Sequence, residues 1–143
     1  MKSKLLDQSG EKTYLLVFDS GDEVMSNLLN FAKENDLTAG HFTAIGAFKK
    51  VVLGYFDMEK KDYHKNTIDE QVEVLTLAGN VARHNGDPKV HAHVVVGKRD
   101  GTAHGGHLLK AEVRPTLEVV LSESPEYLQR KIDPKTNLPL ISL

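Results

Sequence analysis

The sequence predicts an α+β fold, with one main helix and a largely antiparallel sheet of about seven strands. Two observations support this prediction. Apolar residues recur at helical spacing in only one long stretch, whereas most of the remaining chain consists of short segments rich in β-branched and aromatic residues. At 143 residues the chain has the size of one domain, residues 1–143, with a core over about 13–123 and a tail over 124–143.

The first strand and the helix are predicted near the beginning of the chain. TYLLVFD, residues 13–19, has the composition of a strand, and Ser20 or Asp22 after it can cap a helix. Apolar residues at near-helical spacing then predict the helix from Val24 to Asn35. The segment LTAG ends it.

The rest of the sheet is predicted as successive strands. They are HFTAIGAF and VVLGYFD, joined across two lysines by a tight connection or a bulge; DYHKNTI, an exposed edge strand; QVEVLTLAGNVA, which crosses the core; KVHAHVVVG and TAHGGHLLKAEV, which form a hairpin; and TLEVVLSE, after a break at Pro115. The tail is expected to hold one short helix and a terminal extended piece. Several strands are apolar on both faces, which indicates either a second subunit against the sheet or a closed barrel.

The composition limits the possible functions. The formal net charge is −2, whereas a protein that holds DNA mainly through its phosphates usually carries a basic face. The chain has no cysteine, which excludes disulfides, thiolate nucleophiles and thiolate metal sites. No segment is apolar enough to span a membrane, and the N-terminal segment has no apolar signal-peptide core. We therefore expect a cytoplasmic protein that does not bind membranes.

Histidines are concentrated in the predicted hairpin. Four of the seven histidines of the chain lie between residues 89 and 109. His91 and His93 are two residues apart, so in a strand both side chains project from the same face. Such a pair can bind a metal ion, but exposed or hydrogen-bonded histidines without a ligand show the same spacing. A metal site requires a third ligand from another strand.

The register of the hairpin determines which histidine that is. With a two-residue loop, His104 shares the side of His93 but lies too far along its strand. With a three-residue loop that ends at a left-handed Gly101, His107 lies directly opposite His93. Opposed Cβ atoms are about 4.5–5.5 Å apart, so two imidazoles there can share one ion. The geometry favours His107 as the third ligand, beside His91 and His93, and leaves His104 on the other face.

Three neutral imidazoles that leave one coordination position open are typical of catalytic rather than structural zinc. Nickel, iron and manganese accept the same ligands, so zinc is the expected divalent metal among several that fit. The outer N–H groups of the imidazoles need hydrogen-bond acceptors. Glu73 and Asn80 on the neighbouring strand are the candidates, and His104 is a further candidate for the surrounding pocket.

The motifs EVLTLAGNV, HAHVVVGKRDG and GGHL, in this order, resemble the PPC domain family, the plants and prokaryotes conserved domain. The segment HFTAIGAFKKVVLGYFD is similar to an earlier strand pair of that family. The resemblance as a whole covers about residues 13–123. It implies one helix against a strongly bent antiparallel sheet, and assembly as a homotrimer. Prokaryotic members of the family are described as candidate DNA-binding proteins.

The same strands resemble, more distantly, acetolactate decarboxylase, a metal-dependent lyase with an H-x-H strand and a Gly-Gly-His on the next strand. This resemblance maps onto the histidine set His91, His93 and His107. The decarboxylase also uses carboxylate and arginine partners. Glu73, Glu112 and Arg114 are candidates for these partners, although residues of these types more often form surface ion pairs.

Three functional hypotheses follow. The first is a homotrimeric, metal-binding PPC-domain protein with a regulatory role, for which DNA or a protein is the candidate partner and a small molecule the candidate ligand at the metal. The second is a metal-dependent enzyme, such as a zinc lyase that acts on a small oxo- or hydroxy-acid by polarising its carbonyl group. The third is a structural trimer whose histidines bind no metal.

Overall fold

The computed structural model describes residues 1–7, 10–124 and 128–143. In these residues, nine strands form one mostly antiparallel sheet, and one helix packs against it. The elements are β1 (Lys2–Asp7), β2 (Thr13–Asp19), α1 (Val24–Glu34), β3 (Ala39–Asp57), β4 (Asp62–Ile68), β5 (Val72–His84), β6 (Asp87–Gly97), β7 (Ala103–Glu123), β8 (Gln129–Ile132) and β9 (Pro139–Ser142). The predicted α+β class is confirmed, with nine strands in the described residues rather than about seven.

Two of these strands join segments that the sequence separates. β3 continues through the lysine pair at 49–50, and β-bulges shift its register against β7 in this region. β7 continues through Pro115, which follows a cis peptide bond. The predicted break at Pro115 is therefore wrong. Pro115 lies at a shift of register between β7 and β3, where a residue without a backbone N–H removes no ladder hydrogen bond.

The additional strands lie near the two ends of the chain. β1 pairs with β2, while β8 pairs with β9 and, in parallel, with β5. The short helix predicted for the tail is absent from residues 128–143, which form the β8–β9 hairpin instead. Residues 125–127, which also belong to that predicted tail, lie outside the described residues. Pairing with β5 fixes the tail beside the strand that precedes the histidine hairpin.

The N-terminus of α1 is capped by a residue other than those predicted. The Glu23 carboxylate accepts hydrogen bonds from the backbone N–H groups of Met25 (3.3 Å) and Ser26 (2.7 Å). Ser20 and Asp22 are not the cap, because the chain enters the helix after them and Asp22 accepts a hydrogen bond within the preceding turn.

Within the described ranges, no helix is long and apolar enough to cross a membrane.

Four strands pair with one another in a closed ring. β3 and β6 each pair with both β5 and β7. One face of these strands is buried together with α1; its large side chains include Phe42, Leu77, Val94, Leu108 and, on the helix, Leu28. Apolar side chains also remain on the other face, where Ile45 is 62 % exposed, Leu75 54 % and Val120 44 %. The structure thus combines ring closure with an uncovered apolar surface.

Candidate metal centre

The hairpin between β6 and β7 closes through a three-residue turn. The backbone N–H of Lys98 donates to the carbonyl of Thr102, and the N–H of Gly101 donates to the carbonyl of Lys98, both at 2.9 Å. Gly101 has a left-handed conformation, with φ of 82°, which a residue without a Cβ adopts easily. The Asp100 carboxylate accepts hydrogen bonds from the N–H (3.0 Å) and the hydroxyl (2.6 Å) of Thr102. Of the two turns that the sequence allows, the structure has the longer one.

This turn sets the register of the histidines. His93 on β6 lies directly opposite His107 on β7, and His107 is also the partner of Gly54 on β3. His104 pairs farther along β6, on the other face, and its side chain is exposed. The hairpin therefore brings His107, and not His104, to the side of His91 and His93.

The three imidazoles converge on one point. One ring nitrogen from each of His91, His93 and His107 lies within 4.8 Å of the other two. The Nε2 atoms of His91 and His93 are 3.2 Å apart. Two nitrogen ligands of one tetrahedral zinc ion are separated by roughly 3.3 Å, given Zn–N bonds near 2.0–2.1 Å. The His91–His93 separation is thus that of two ligands on a single ion.

Burial keeps His107 in the form that binds metals. Desolvation, reinforced by the charges of His91 and His93, lowers the pKa of His107 to about 4. Desolvation also lowers the pKa of His91, with the positive charge of Arg130 as the next cause. Imidazole binds a metal ion through a neutral nitrogen, so near neutral pH these two rings need no deprotonation.

One ring nitrogen of His107 has no partner. Its Nδ1 atom is buried and forms no hydrogen bond with any residue that the structure describes. Buried polar atoms are nearly always paired with another polar atom, with water or with an ion. The residues present therefore fit a bound divalent metal, both in the spacing of the donors and in the chemistry of the donor set.

An aromatic ring covers His107. Tyr63 on β4 stacks on the imidazole with a centroid separation of 4.8 Å and an interplanar angle of 28°. The space for this ring depends on Gly54, where a Cβ would lie 2.7 Å from Cδ1 of Tyr63. Burial raises the pKa of the Tyr63 phenol, so its hydroxyl stays protonated. The sequence gives no sign of Tyr63, because its segment carries no motif and only the β3–β4 pairing brings it to the site.

Arg130 on β8 is a second side chain without a sequence signal, and Asn80 connects it to the histidines. Asn80 on β5 is the strand partner of His91. Its amide oxygen, however, accepts a hydrogen bond from the guanidinium of Arg130 on β8 rather than from an imidazole. Arg130 also donates to the carbonyl of Pro139 (3.0 Å) and is 5 % exposed.

The other candidate residues lie away from the three imidazoles. Glu73 pairs with Gly97, near the turn end of β6. Glu112 forms an ion pair with Lys49 (2.8 Å). Arg114 is exposed and lies on the far part of β7, beyond Glu112 as the strand leaves the histidines. The structure thus places Asn80 beside the histidines and gives no such position to Glu73, Glu112 or Arg114.

Comparison with known proteins relates most of the chain to one domain family. Residues 6–125 match the Plants and Prokaryotes Conserved (PCC) domain. A candidate DNA-binding protein of Bacteroides thetaiotaomicron is 28 % identical, with a TM-score of 0.90 over 98 % of this chain and 96 % of that one. A metal-containing protein of Archaeoglobus fulgidus is 39 % identical, with a TM-score of 0.85 over 100 % of both chains.

Two further proteins are similar over a smaller part of their own length. The bifunctional protein GlmU of Synechococcus sp. strain JA-3-3Ab is 31 % identical over 128 residues, and this chain spans 19 % of its length. Acetolactate decarboxylase of Bacillus subtilis is 17 % identical, with a TM-score of 0.57 over 77 % of this chain and 51 % of that one. At this identity the decarboxylase shares the fold alone, and the predicted distant resemblance is confirmed at that level.

Proposed function

The chain belongs to the Plants and Prokaryotes Conserved domain family, and we propose that within it the protein is a metal-binding homotrimer with a regulatory role linked to DNA. The observation that carries the proposal is the convergence of three imidazole nitrogens within 4.8 Å. His91, His93 and His107 would hold a divalent ion, with zinc the expected metal because three neutral nitrogens suit it. The similar metal-containing protein of Archaeoglobus supports this assignment.

When bound, a divalent ion held by three imidazoles acts as a Lewis acid with a coordination position left for another ligand. The residues of the chain prepare that position. Burial keeps His107 neutral, and the stacked Tyr63 excludes water from one face of its ring. The hydrogen bond from Arg130 holds the Asn80 side chain beside His91.

Metal analysis tests the ligand set. The protein is purified without a nickel column, and its metal content is measured by mass spectrometry. We expect about one divalent ion per chain in the wild type and little in His107→Ala, because two imidazoles alone bind weakly. His104→Ala is the matched control, since His104 lies in the same hairpin but on its other face. Metal loss in His104→Ala with full retention in His107→Ala would contradict the assignment.

The proposed trimer is supported by the uncovered apolar surface. Ile45 and Leu75 are more than half exposed and line a surface groove of about 750 Å³, together with Pro115. Contiguous exposed apolar residues mark an assembly surface more often than a solvated one. Light scattering should give the mass of three chains, and a monomer mass would contradict the trimer.

DNA is the proposed partner because the similar Bacteroides protein carries that description. The charge of the chain limits the strength of such binding. The formal net charge is −2, and Lys49, Lys50 and Lys98 each form an ion pair with a carboxylate. We expect weak, salt-dependent binding in fluorescence anisotropy with short duplexes. No binding at about 50 mM salt would contradict a direct DNA contact.

A metal-dependent lyase acting on a small oxo- or hydroxy-acid is the second candidate. It is favoured by the three-nitrogen donor set, which leaves a coordination position for a substrate. The test is incubation of the metal-loaded protein with a panel of such acids, followed by NMR. Turnover that His107→Ala abolishes would support the lyase, whereas unchanged acids would contradict it.

A cytoplasmic location stays a prediction from the sequence.

A further inference from the structure

Two positive charges lie close to the three histidines. Lys89, His91 and His93 alternate along β6 and so project from the same face. Arg130 reaches this face from β8 through its hydrogen bond to Asn80, the strand partner of His91. The convergent group of possible ligands, His91, His93 and His107, includes no carboxylate. The three histidines therefore share one face of the sheet with two cations and have no acidic ligand among them.

Arg130 is a buried cation without an anionic partner among the residues that the structure describes. It is 5 % exposed, and its two Nη atoms donate to neutral acceptors, the carbonyl of Pro139 and the amide oxygen of Asn80. Its Nε atom is buried and has no partner in the described part of the chain. None of the ion pairs formed between described residues includes it. Buried charges are normally paired, because an isolated charge in a protein interior is strongly unfavourable.

A metal ion would make this imbalance larger. Three neutral imidazoles would leave a divalent ion with its full charge, on the face that Lys89 shares and that Arg130 reaches through Asn80. Repulsion between like charges weakens binding unless an anion lies among them. An oxygen anion can bind a zinc-type ion directly and is also the preferred partner of a guanidinium.

We propose that the open coordination position binds a small oxyanion, such as a carboxylate, and that Arg130 supplies the positive charge that retains it. Lys89, which is exposed on β6, adds a second positive charge on the same face. This inference rests on the proposed metal site and specifies the ligand class of that site. Arg130 lies outside residues 6–125, the part of the chain that matches the family domain. The residue proposed to retain the ligand thus comes from the β8–β9 hairpin and not from the histidine hairpin.

Cobalt(II) provides a test with a readout other than activity, because its visible absorption changes when a ligand at the ion is exchanged. The full chain is loaded with cobalt, the bound metal is counted, and sodium acetate or inorganic phosphate is titrated at an ionic strength held with perchlorate. We expect a saturable spectral change with at least one of the two anions. The two titrations distinguish a carboxylate site from a phosphate site.

The variants compare equal losses of charge. Arg130→Gln should weaken anion affinity by about tenfold or more, which corresponds to ~1.4 kcal/mol. Lys131→Gln removes the same charge from the adjacent, exposed position on β8 and should leave the affinity unchanged. Lys89→Gln should weaken the affinity by a smaller factor, because its exposed charge is screened by solvent. If Arg130→Gln does not fold, as judged by circular dichroism, the comparison of Lys89→Gln with Lys131→Gln decides.

The outcomes separate this inference from the metal site. A wild type that binds no cobalt overturns both. A cobalt protein whose spectrum responds to neither anion overturns the anion site alone, as does wild-type affinity in a folded Arg130→Gln. Weakening in Arg130→Gln, without a change in Lys131→Gln, supports it. If Arg130→Gln does not fold, weakening in Lys89→Gln without a change in Lys131→Gln supports the anion site, and equal affinity in these two variants overturns it.

Discussion

Tyr63 stacks on His107 because Gly54 leaves room for its ring. The phenol and the imidazole lie 4.8 Å apart, nearly parallel, and a Cβ at Gly54 would lie 2.7 Å from the phenol ring. Three strands contribute to this arrangement. Gly54 on β3 is the strand partner of His107 on β7. On its other side it pairs with Lys65 of β4, two residues after Tyr63. The stack fixes the plane of a ring that the candidate metal centre needs.

We expect Tyr63→Ala to weaken metal binding by about two- to tenfold, because a stacked aromatic pair contributes roughly 0.5–1.5 kcal/mol. The measurement is competition for zinc with a chelating dye. Tyr63→Phe keeps the stack and should bind as the wild type does. Tyr55→Ala removes a 70 % exposed tyrosine and serves as the second control. Equal weakening in Tyr63→Phe would assign the effect to the hydroxyl group and contradict the stacking explanation.

Gly101→Ala should destabilise the hairpin, because a left-handed φ of 82° costs a residue with a Cβ about 1–2 kcal/mol. Urea unfolding followed by circular dichroism measures this loss. Metal affinity should fall as well, since the turn sets His93 opposite His107. Gly10→Ala is the matched control: nothing lies within 4 Å of a Cβ at either position, but only Gly101 has a left-handed φ. Equal stability of the two variants would show that the turn does not depend on Gly101.

The Asp100 carboxyl should titrate below its ordinary range, because hydrogen bonds from the Thr102 hydroxyl and backbone N–H lower its pKa. A carboxyl whose pKa is lower in the folded state than in the unfolded state stabilises the fold above the unfolded pKa. This contribution disappears as the pH falls through the folded pKa. NMR titration of the carboxyl carbon measures the value, and Thr102→Ala should raise it. An unchanged midpoint in Thr102→Ala would rule out the hydroxyl as the cause.

Leu75→Glu should dissociate the proposed trimer, because it places a charge on the apolar surface that also contains Ile45. Light scattering should show a smaller mass, while circular dichroism should stay unchanged, since Leu75 is 54 % exposed in the single chain. Met58→Glu, in the turn after β3 and 61 % exposed, is the control. A trimer mass in Leu75→Glu would place the assembly surface elsewhere.

The geometry of the histidine hairpin was predictable because it depends on local rules. Side chains two residues apart in a strand share a face, which pairs His91 with His93. Turn chemistry allows two loop lengths here, and the reach between opposed imidazoles favours the longer one, with His107 opposite His93; the structure has that turn. These rules act over about twenty residues of continuous chain, so they need no knowledge of the remaining fold.

Tyr63 and Arg130 could not be predicted, since contacts between distant segments bring them to the site. The position of Tyr63 depends on the pairing of β4 with β3, and that of Arg130 on the parallel pairing of β8 with β5.

β1 was not predicted from the sequence, because this strand lacks the pattern by which strands are recognised. Residues 2–6 are all exposed, so the strand has no buried face and its sequence shows no apolar alternation.

The ring formed by β3, β5, β6 and β7 has a consequence for the kinetics with which the proposed metal ion would bind. His107 has strand partners on both sides, His93 and Gly54, so its backbone cannot fray away from the sheet by itself. A site assembled before the ion arrives loses little entropy of ordering when the ion binds. We therefore expect the proposed ion to bind in one fast step, without a slower phase in which the site becomes ordered.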